Sequence, residues 1–503
     1  MSSADHNYHT FELPYQNNVG FDAEMAHVKK SRSSCCFFGC CLGCLGLILL
    51  FLLCIASIYY CFFGGGATLI VSPETTVITE PLKSDGKTVD FHQAMKDRIE
   101  PNVQADENGF RDVLLGYGQG VFVTDEHWQH AAMCKELGID PQTPPTFSLF
   151  RLTPENIQQW LAEVGKGLDA VQVAAAKPHY FIPMIRQNEK DLVAMSRPQA
   201  VHAFHERLSD ALNTRAYVQF QSNDVAGAWK DILASLRLFR RVTINQAWEE
   251  ALGGRDNESL FAPVVEVVAS LPKWTPELLE QAITDLESLP DWQDRQTTLT
   301  MTQFMMLDLL SATNDPSDLH HRLQLPAEMR QMIAALQVIA FDWNLVAKEL
   351  NGEIKSYGEL LEQASGKSLV EQSELLGLGE EPLAIPFSGE QQWESFLEDR
   401  LMQDMSLNPL FASGRSKLTG EIASQLVKWA VGEMYRLQMV EESRCQALRL
   451  ACALERFRRE KGRYPESLAE LGLKPMLTNV NFQYEKWGTG YHFQNRMFQL
   501  ERE

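Results

Sequence analysis

A chain of 503 residues, 45% hydrophobic and 22% charged, has the make-up of a folded protein of two or three packed units that can bury a large core. Its formal net charge of -21 excludes a nucleic-acid partner, because that affinity rests on clustered Lys and Arg neutralising phosphates. Of 10 cysteines, seven (Cys35, Cys36, Cys40, Cys41, Cys44, Cys54, Cys61) lie in or beside one apolar run, and Cys134, Cys445 and Cys452 make no disulfide framework.

Residues 1–33 are polar and aperiodic and read as a disordered cytoplasmic tail. Residues 34–63 read as a transmembrane anchor helix: from Phe37 to Phe63 there is no charge, a run of roughly 25 residues where ~20 suffice for a ~30 Å hydrocarbon core. A leader of over thirty residues and so long an apolar core read as an uncleaved anchor rather than a signal peptide, with cleavage at the small residues Gly65, Gly66 and Ala67 as the alternative. Lys29, Lys30 and Arg32 precede the span and no basic residue follows it until Lys83, which places the N-terminus in the cytoplasm and the rest outside. Gly39 and Gly43 form a small-xxx-small pair, with Cys36, Cys40 and Cys44 on a neighbouring stripe; such a pair allows close helix packing and a homodimer through the membrane, or is simply a helix end rich in small residues. No His or carboxylate joins these thiols, so they do not read as a zinc site.

Glycines, prolines and β-branched residues over 64–90 predict a stalk leading into a short strand. Residues 91–410 predict an extracytoplasmic helical domain. "TPENIQQWLAEVGKGLDAVQVAAA" opens with Thr153 as N-cap and Pro154 at the first helical position, and "TPELLEQAITDLESLP" repeats that grammar from Thr275 to Pro290. Helical spacing also runs through 326–350, 390–405 and 415–461. In "ALNTRAYVQFQSNDVAGAWKDILASLRLFRR", Ala211, Ala216 and Tyr217 fall on one helix, Ser222–Asp224 turn the chain, and Ala226, Ala228 and Trp229 fall on the next. Small residues at a helix crossing with an aromatic beside them are what tetratricopeptide hairpins use, so a tetratricopeptide-like hairpin inside a larger bundle is predicted. Residues 411–503 predict a long helix with Leu448, Ala451, Leu454 and Phe457 on its apolar face, stopped at Gly462, a short helix begun by Pro465, and a β-hairpin around "WGTG". The fold class predicted is mainly α, with an N-terminal transmembrane helix and a small C-terminal β-hairpin.

The C-terminal piece, "ALERFRREKGRYPESLAEL" with its hairpin, loosely resembles the end of type II secretion pseudopilins; no membrane helix directly precedes it, so a filament-forming role does not transfer. Taken in order, "ITEPLKSDGKTVDF", "KELGIDP", the hairpin segment, "FDWN" and "ALERFRREKGRYPESLAEL" resemble an uncharacterised membrane-anchored protein family of planctomycete-type bacteria. That resemblance implies a single-pass anchor and a bacterial cell-envelope location, and contributes no catalytic residue. The chain departs from the pattern before the hairpin, where it has "LKPMLTNVNF".

The best chemical constellation is "DEHWQHAAMC", where His127, His130 and Cys134 share a helical face and can hold zinc with a fourth position open to water. The bland reading is an amphipathic helix with two half-exposed histidines and a buried cysteine. His202 and His205 lack the Glu of a zincin and, with His320 and His321, read as surface residues. There is no nucleophile elbow, no P-loop and no dinucleotide fingerprint, and the catalytic residues, if any, are not legible. The carboxylate-rich runs read as solvated faces, although a pair of catalytic acids needs no fixed sequence spacing. Two functional expectations follow: a membrane-tethered helical protein that binds other envelope proteins, with no cofactor, or an extracytoplasmic hydrolase that is zinc-dependent or works through a carboxylate pair.

Overall fold

The computed structural model describes residues 69–99, 103–121, 127–140, 157–189, 191–193, 199–243, 257–290, 292, 295–312, 342–367, 369–376, 412–473, 482–487, 490–494 and 499–502. The predicted tail at 1–33 and anchor at 34–63, with Gly39 and Gly43, lie outside these residues, as do the predicted helix at 390–405 and the cap at Thr153. Among the described residues no helix is long and apolar enough to cross a membrane.

The fold is mainly helical. Helices α1 (Phe91–Ile99), α2 (Gly109–Tyr117), α3 (His127–Glu136), α4 (Ile157–Ala176), α5 (Gln199–Gln221) and α6 (Val225–Thr243) come first. They are followed by α7 (Asn257–Ser270), α8 (Pro276–Glu287), α9 (Arg295–Ala312), α10 (Trp343–Ala364), α11 (Leu369–Leu375) and the 50-residue α12 (Ala412–Lys461). Local chemistry sets several ends. Thr275 Oγ1 accepts the Leu278 N–H at 3.2 Å ahead of Pro276, as predicted for α8. Asp342 accepts the N–H groups of Asn344 and Leu345 at 3.0 and 3.3 Å to open α10. Gly462, at φ 70, closes α12 with its N–H on the Arg458 carbonyl at 2.8 Å.

Three apolar clusters make the core. One joins α1, α9, α10 and the first half of α12 through Phe91, Phe304, Val346 and Val427. A second joins the α5–α6 tip, α7, α8 and the second half of α12 through Trp229, Val267, Leu279 and Leu448. The third gathers α2, α3, α4 and the start of α5 around Phe110, Tyr117, Leu168 and Phe204. At 1.5 Å per residue α12 is about 75 Å long, and it is the element shared by the first two clusters. Of the predicted apolar stripe, Leu448, Ala451 and Leu454 are buried and Phe457 is half-buried, but the other faces of this stretch are covered too, with Glu441 to Arg449 all below 9% exposure.

Where a stalk and short strand were expected, residues 69–90 form turns closed by a single bridge between Leu82 and Val89. They pack on α10, where Asn344 Oδ1 accepts the Ile70 N–H at 2.6 Å and Asn351 Nδ2 donates to the carbonyls of Glu74 and Thr75 at 3.0 and 2.9 Å. The short helix expected from Pro465 is a single 3-10 turn at Leu468–Leu471, whose entry is held by the Glu470 carboxylate on the N–H groups of Glu466 and Ser467. The predicted hairpin is present as β1 (Gln483–Trp487) and β2 (Gly490–Gln494), and β3 (Gln499–Arg502) extends it to an antiparallel sheet in the order β1-β2-β3. Tyr491 and Phe493 on β2 are fully buried against the second core cluster.

Candidate functional site

The helix predicted from His127 to Cys134 exists as α3. His127 opens it, with its side chain outside the described residues. His130 and Cys134, one turn apart, bring Nε2 and Sγ to 3.4 Å. His130 is 3% exposed, so the expectation of a half-exposed histidine gives way to a buried one. Burial, reinforced by Asp140, pushes the Cys134 thiol up, and a protonated thiol is a poor nucleophile that must release its proton to bind a metal. Among the described residues no three His, Cys, Asp or Glu side chains gather as metal ligands. His205 is likewise buried, against the expectation of a surface residue: Nδ1 donates to the Val201 carbonyl at 2.7 Å and Nε2 accepts from the Tyr180 hydroxyl at 2.5 Å. Phe110 stacks on its ring at 5.9 Å.

Helices α5 and α6 form the predicted antiparallel hairpin, turning through Asn223 at φ 67, a conformation that Asn tolerates. Ala211, Ala216, Ala228 and Trp229 are buried as expected, whereas Tyr217 is 46% exposed and Ala226 also faces out. Trp229 packs edge-on against Trp274 at 5.6 Å, and its Nε1 donates to Asp285 of α8 at 2.9 Å. It therefore ties the hairpin to α8. The charged heart of the hairpin was not foreseen. Arg215 of α5 grips Asp231 of α6 with Nε and Nη2 at 2.7 and 2.6 Å, and reaches Asp169 of α4 with Nη1 at 2.7 Å. Asp231 is 0% exposed and also accepts from Gln172 of α4 at 2.5 Å. One guanidinium thus fixes three helices.

A second group unseen in the sequence surrounds α1. Asp90 caps this helix through the Gln93 N–H at 3.0 Å and receives both Nη atoms of Arg186 at 2.7 Å. Burial opposes its ionisation, yet the Arg186 fork and the Gln93 N–H outweigh it and hold the carboxyl below the usual range. Asp308 of α9 shows the opposite balance: burial raises it, despite Lys83 at 3.4 Å and the Val193 N–H at 2.8 Å. His92, on α1, is 6% exposed, and neither ring nitrogen has a hydrogen-bond partner. Only the Asp90 cap before "FHQA" carried a local signal.

A third group lies at the middle of α12, where Gln438, Glu441, Glu442, Ser443 and Arg444 are all buried. Glu442 meets Arg240 of α6 at 2.7 Å and accepts from Trp292 Nε1 at 2.7 Å. Arg444 pairs with Glu441 at 2.9 Å, and Arg295 of α9 donates to Gln438 at 3.3 and 3.2 Å. Burial raises Glu441 above the usual carboxylate range, with Arg444 and Arg240 opposing. The Arg215–Asp231 and Arg215–Asp169 pairs and the Arg240–Glu442 and Arg295–Gln438 contacts cross between helices, which is an arrangement for holding helices in register, whereas Arg186 and Lys83 bring irregular segments onto α1 and α9 and Arg444–Glu441 lies within α12.

Comparison with protein-family models, with curated proteins and with solved structures finds no match to this chain.

Proposed function

We propose that this chain is a single-pass membrane-anchored, extracytoplasmic helical protein that binds other envelope proteins, with α5 and α6 as a tetratricopeptide-like recognition hairpin. The observation that supports the reading most is the Arg215 junction. It ties α4, α5 and α6 together through Asp169 and Asp231, and a pre-fixed helical surface loses little freedom on binding. Two residues further along α5, Tyr217 stands 46% exposed, and tyrosine is a frequent interface anchor. The envelope location rests on Lys29, Lys30 and Arg32 before the apolar run and on the resemblance to anchored proteins of planctomycete-type bacteria.

A photo-crosslinking residue in place of Tyr217, activated in intact envelopes, is expected to trap a discrete set of proteins, and Lys230, exposed on α6, serves as a comparison position. Identical products at both positions, or none at Tyr217, would remove the hairpin as the binding element. Single cysteines at Ser2 and Ser222, in a background without accessible native thiols, should label with an impermeant reagent on intact cells only at Ser222. Labelling at Ser2 instead reverses the topology.

One observation favours the hydrolase reading. Asp90 and Asp308 are driven in opposite directions, the division of labour found in acid–base pairs. Asp308, however, is 1% exposed. A hydrolytic activity of the purified chain that is lost in Asp308→Asn with the fold intact would favour that reading over the first.

A further inference from the structure

The outer face of the terminal sheet carries an exposed tryptophan that the core does not use. On β1, Tyr484 and Lys486 turn inward, where Tyr484 donates to the Pro465 carbonyl at 2.8 Å and Lys486 pairs with Glu466. Gln483, Glu485 and Trp487 alternate with them and share the other face with their register partners Gln494, His492 and Gly490 of β2. Trp487 is 54% exposed, yet it is held from two directions. Its indole lies over the His492 imidazole, centroids 5.4 Å apart and planes 25° from parallel, and its Nε1 donates to Glu485 Oε2 at 3.2 Å. His492 beneath it is 7% exposed, so one indole face is covered and the other is open to solvent. Further along the same face, Gln494 Nε2 donates to Gln483 Oε1 at 3.1 Å. That bond orients both amides and leaves the Gln483 nitrogen and the Gln494 oxygen without a partner among the described residues.

An aromatic ring carries partial negative charge on its face. The C–H groups of a gluco-configured β-pyranose gather on the flat faces of the sugar and carry slight positive charge, while its hydroxyls project from the rim. The open indole face matches the first, and the Glu485 carboxylate with the Gln483–Gln494 pair matches the second. From Trp487 to Gln483 the strand runs about 13 Å at ~3.3 Å per residue, which leaves room for more than one sugar ring. Other occupants fit less well. An anionic ligand meets Glu485 and a chain of net charge -21. An apolar partner finds one indole among glutamine, glutamate and histidine, which is no contiguous apolar patch.

We propose that the outer face of β1 and β2 is a glycan-binding site for β-linked, gluco-configured sugars. Trp487 stacks on one ring, and Glu485 and the Gln483–Gln494 pair hydrogen-bond the hydroxyls of that ring and the next. His492 is a positioning residue that holds the indole flat from beneath. An indole fixed in advance by its stack and by Glu485 loses little freedom when the sugar arrives. The site lies on different elements from α5 and α6 and does not rest on their reading as a recognition hairpin.

Cellotriose and triacetylchitotriose are the probes, titrated by isothermal calorimetry into the full chain held in a detergent without a sugar headgroup. Saturable binding of at least one is expected, and the tighter of the two tells a plain glucan from an N-acetylated glycan. Trp487→Ala is expected to weaken binding at least about tenfold, as the loss of a central aromatic anchor does. His492→Phe, which keeps a flat ring under the indole, should bind as wild type does, whereas His492→Ala should bind more weakly; equal loss in both removes the positioning role. Trp487 is exposed, so Trp487→Ala keeps the fold, checked by circular dichroism, even if His492→Ala does not. No saturable binding of either trisaccharide to the wild-type chain, or the same affinity in Trp487→Ala, overturns the proposal.

Discussion

His92→Leu tests how the α1 region is held. In the unfolded chain this imidazole titrates near 6.5, and in the fold it is pushed down to about 4. Burial is the main cause; Arg186 and Lys96 add to it, and Asp90 and Glu136 work against it. Between those two values the unfolded chain binds the proton and the folded chain does not. Stability is therefore full above pH 6.5 and is lost as the pH falls towards 4. At about 1.4 kcal/mol per pH unit the loss is on the order of 3 kcal/mol. Leucine removes both the proton site and the two nitrogens that lack partners. Urea unfolding of the full chain at pH 7.5, 5.5 and 4.5 should show the variant losing about 2.5 kcal/mol less than wild type over that range. It should also be no less stable at neutral pH, since a buried polar atom left unbonded costs about 1–3 kcal/mol. Parallel pH profiles for the two proteins would refute the assignment of His92 as a buried neutral group.

Trp229→Ala should cost about 3–5 kcal/mol through lost burial and a cavity, and Ala228→Leu about 1–3 kcal/mol through overpacking. Lys230→Ala should stay within about 0.5 kcal/mol, and thermal melts that leave the first two untouched would remove the helix crossing. Arg215→Met strands the fully buried Asp231 and should cost about 3–5 kcal/mol, while adding Asp231→Leu should recover much of it in a double-mutant cycle. Gly420→Ala puts a Cβ 2.6 Å from the Val346 carbonyl oxygen, where α12 meets α10, and should lower the unfolding free energy in urea by about 1–3 kcal/mol.

What the sequence made legible was local. Thr275 with Pro276, Gly462 and "WGTG" act within a few residues, and the caps and the two hairpin strands stand where their chemistry places them. The small residues of the α5–α6 crossing were legible too, because Ala216 and Ala228 have little reason to be small elsewhere. Tyr217 was not, because neighbouring residues on a helix point about 100° apart and Ala216 takes the buried direction. His130 read as half-exposed although its neighbour Cys134 was placed on the same face, and His205 read as a surface residue because its partner is invisible in the pattern. His205 is satisfied by Tyr180, which lies in the irregular segment after α4. The strand β3 follows a four-residue connection and was folded into no predicted element.

The long helix was legible, but the burial of its charged residues was not. Helical spacing over 415–461 predicts one apolar face, whereas the middle of α12 is enclosed on every side with Glu441, Glu442 and Arg444 buried. Those charges are tolerable only because Arg240 arrives from α6, Trp292 from the chain before α9 and Arg295 from α9. An apolar replacement of the whole group could be as stable, so stability does not explain it. Position does. Apolar contacts between helices are tolerant of sliding, whereas the Glu442–Arg240 pair and the Arg295–Gln438 bonds allow α6, α9 and α12 one register, and that register sets where the Arg215 hairpin and the terminal sheet stand on the rest of the fold.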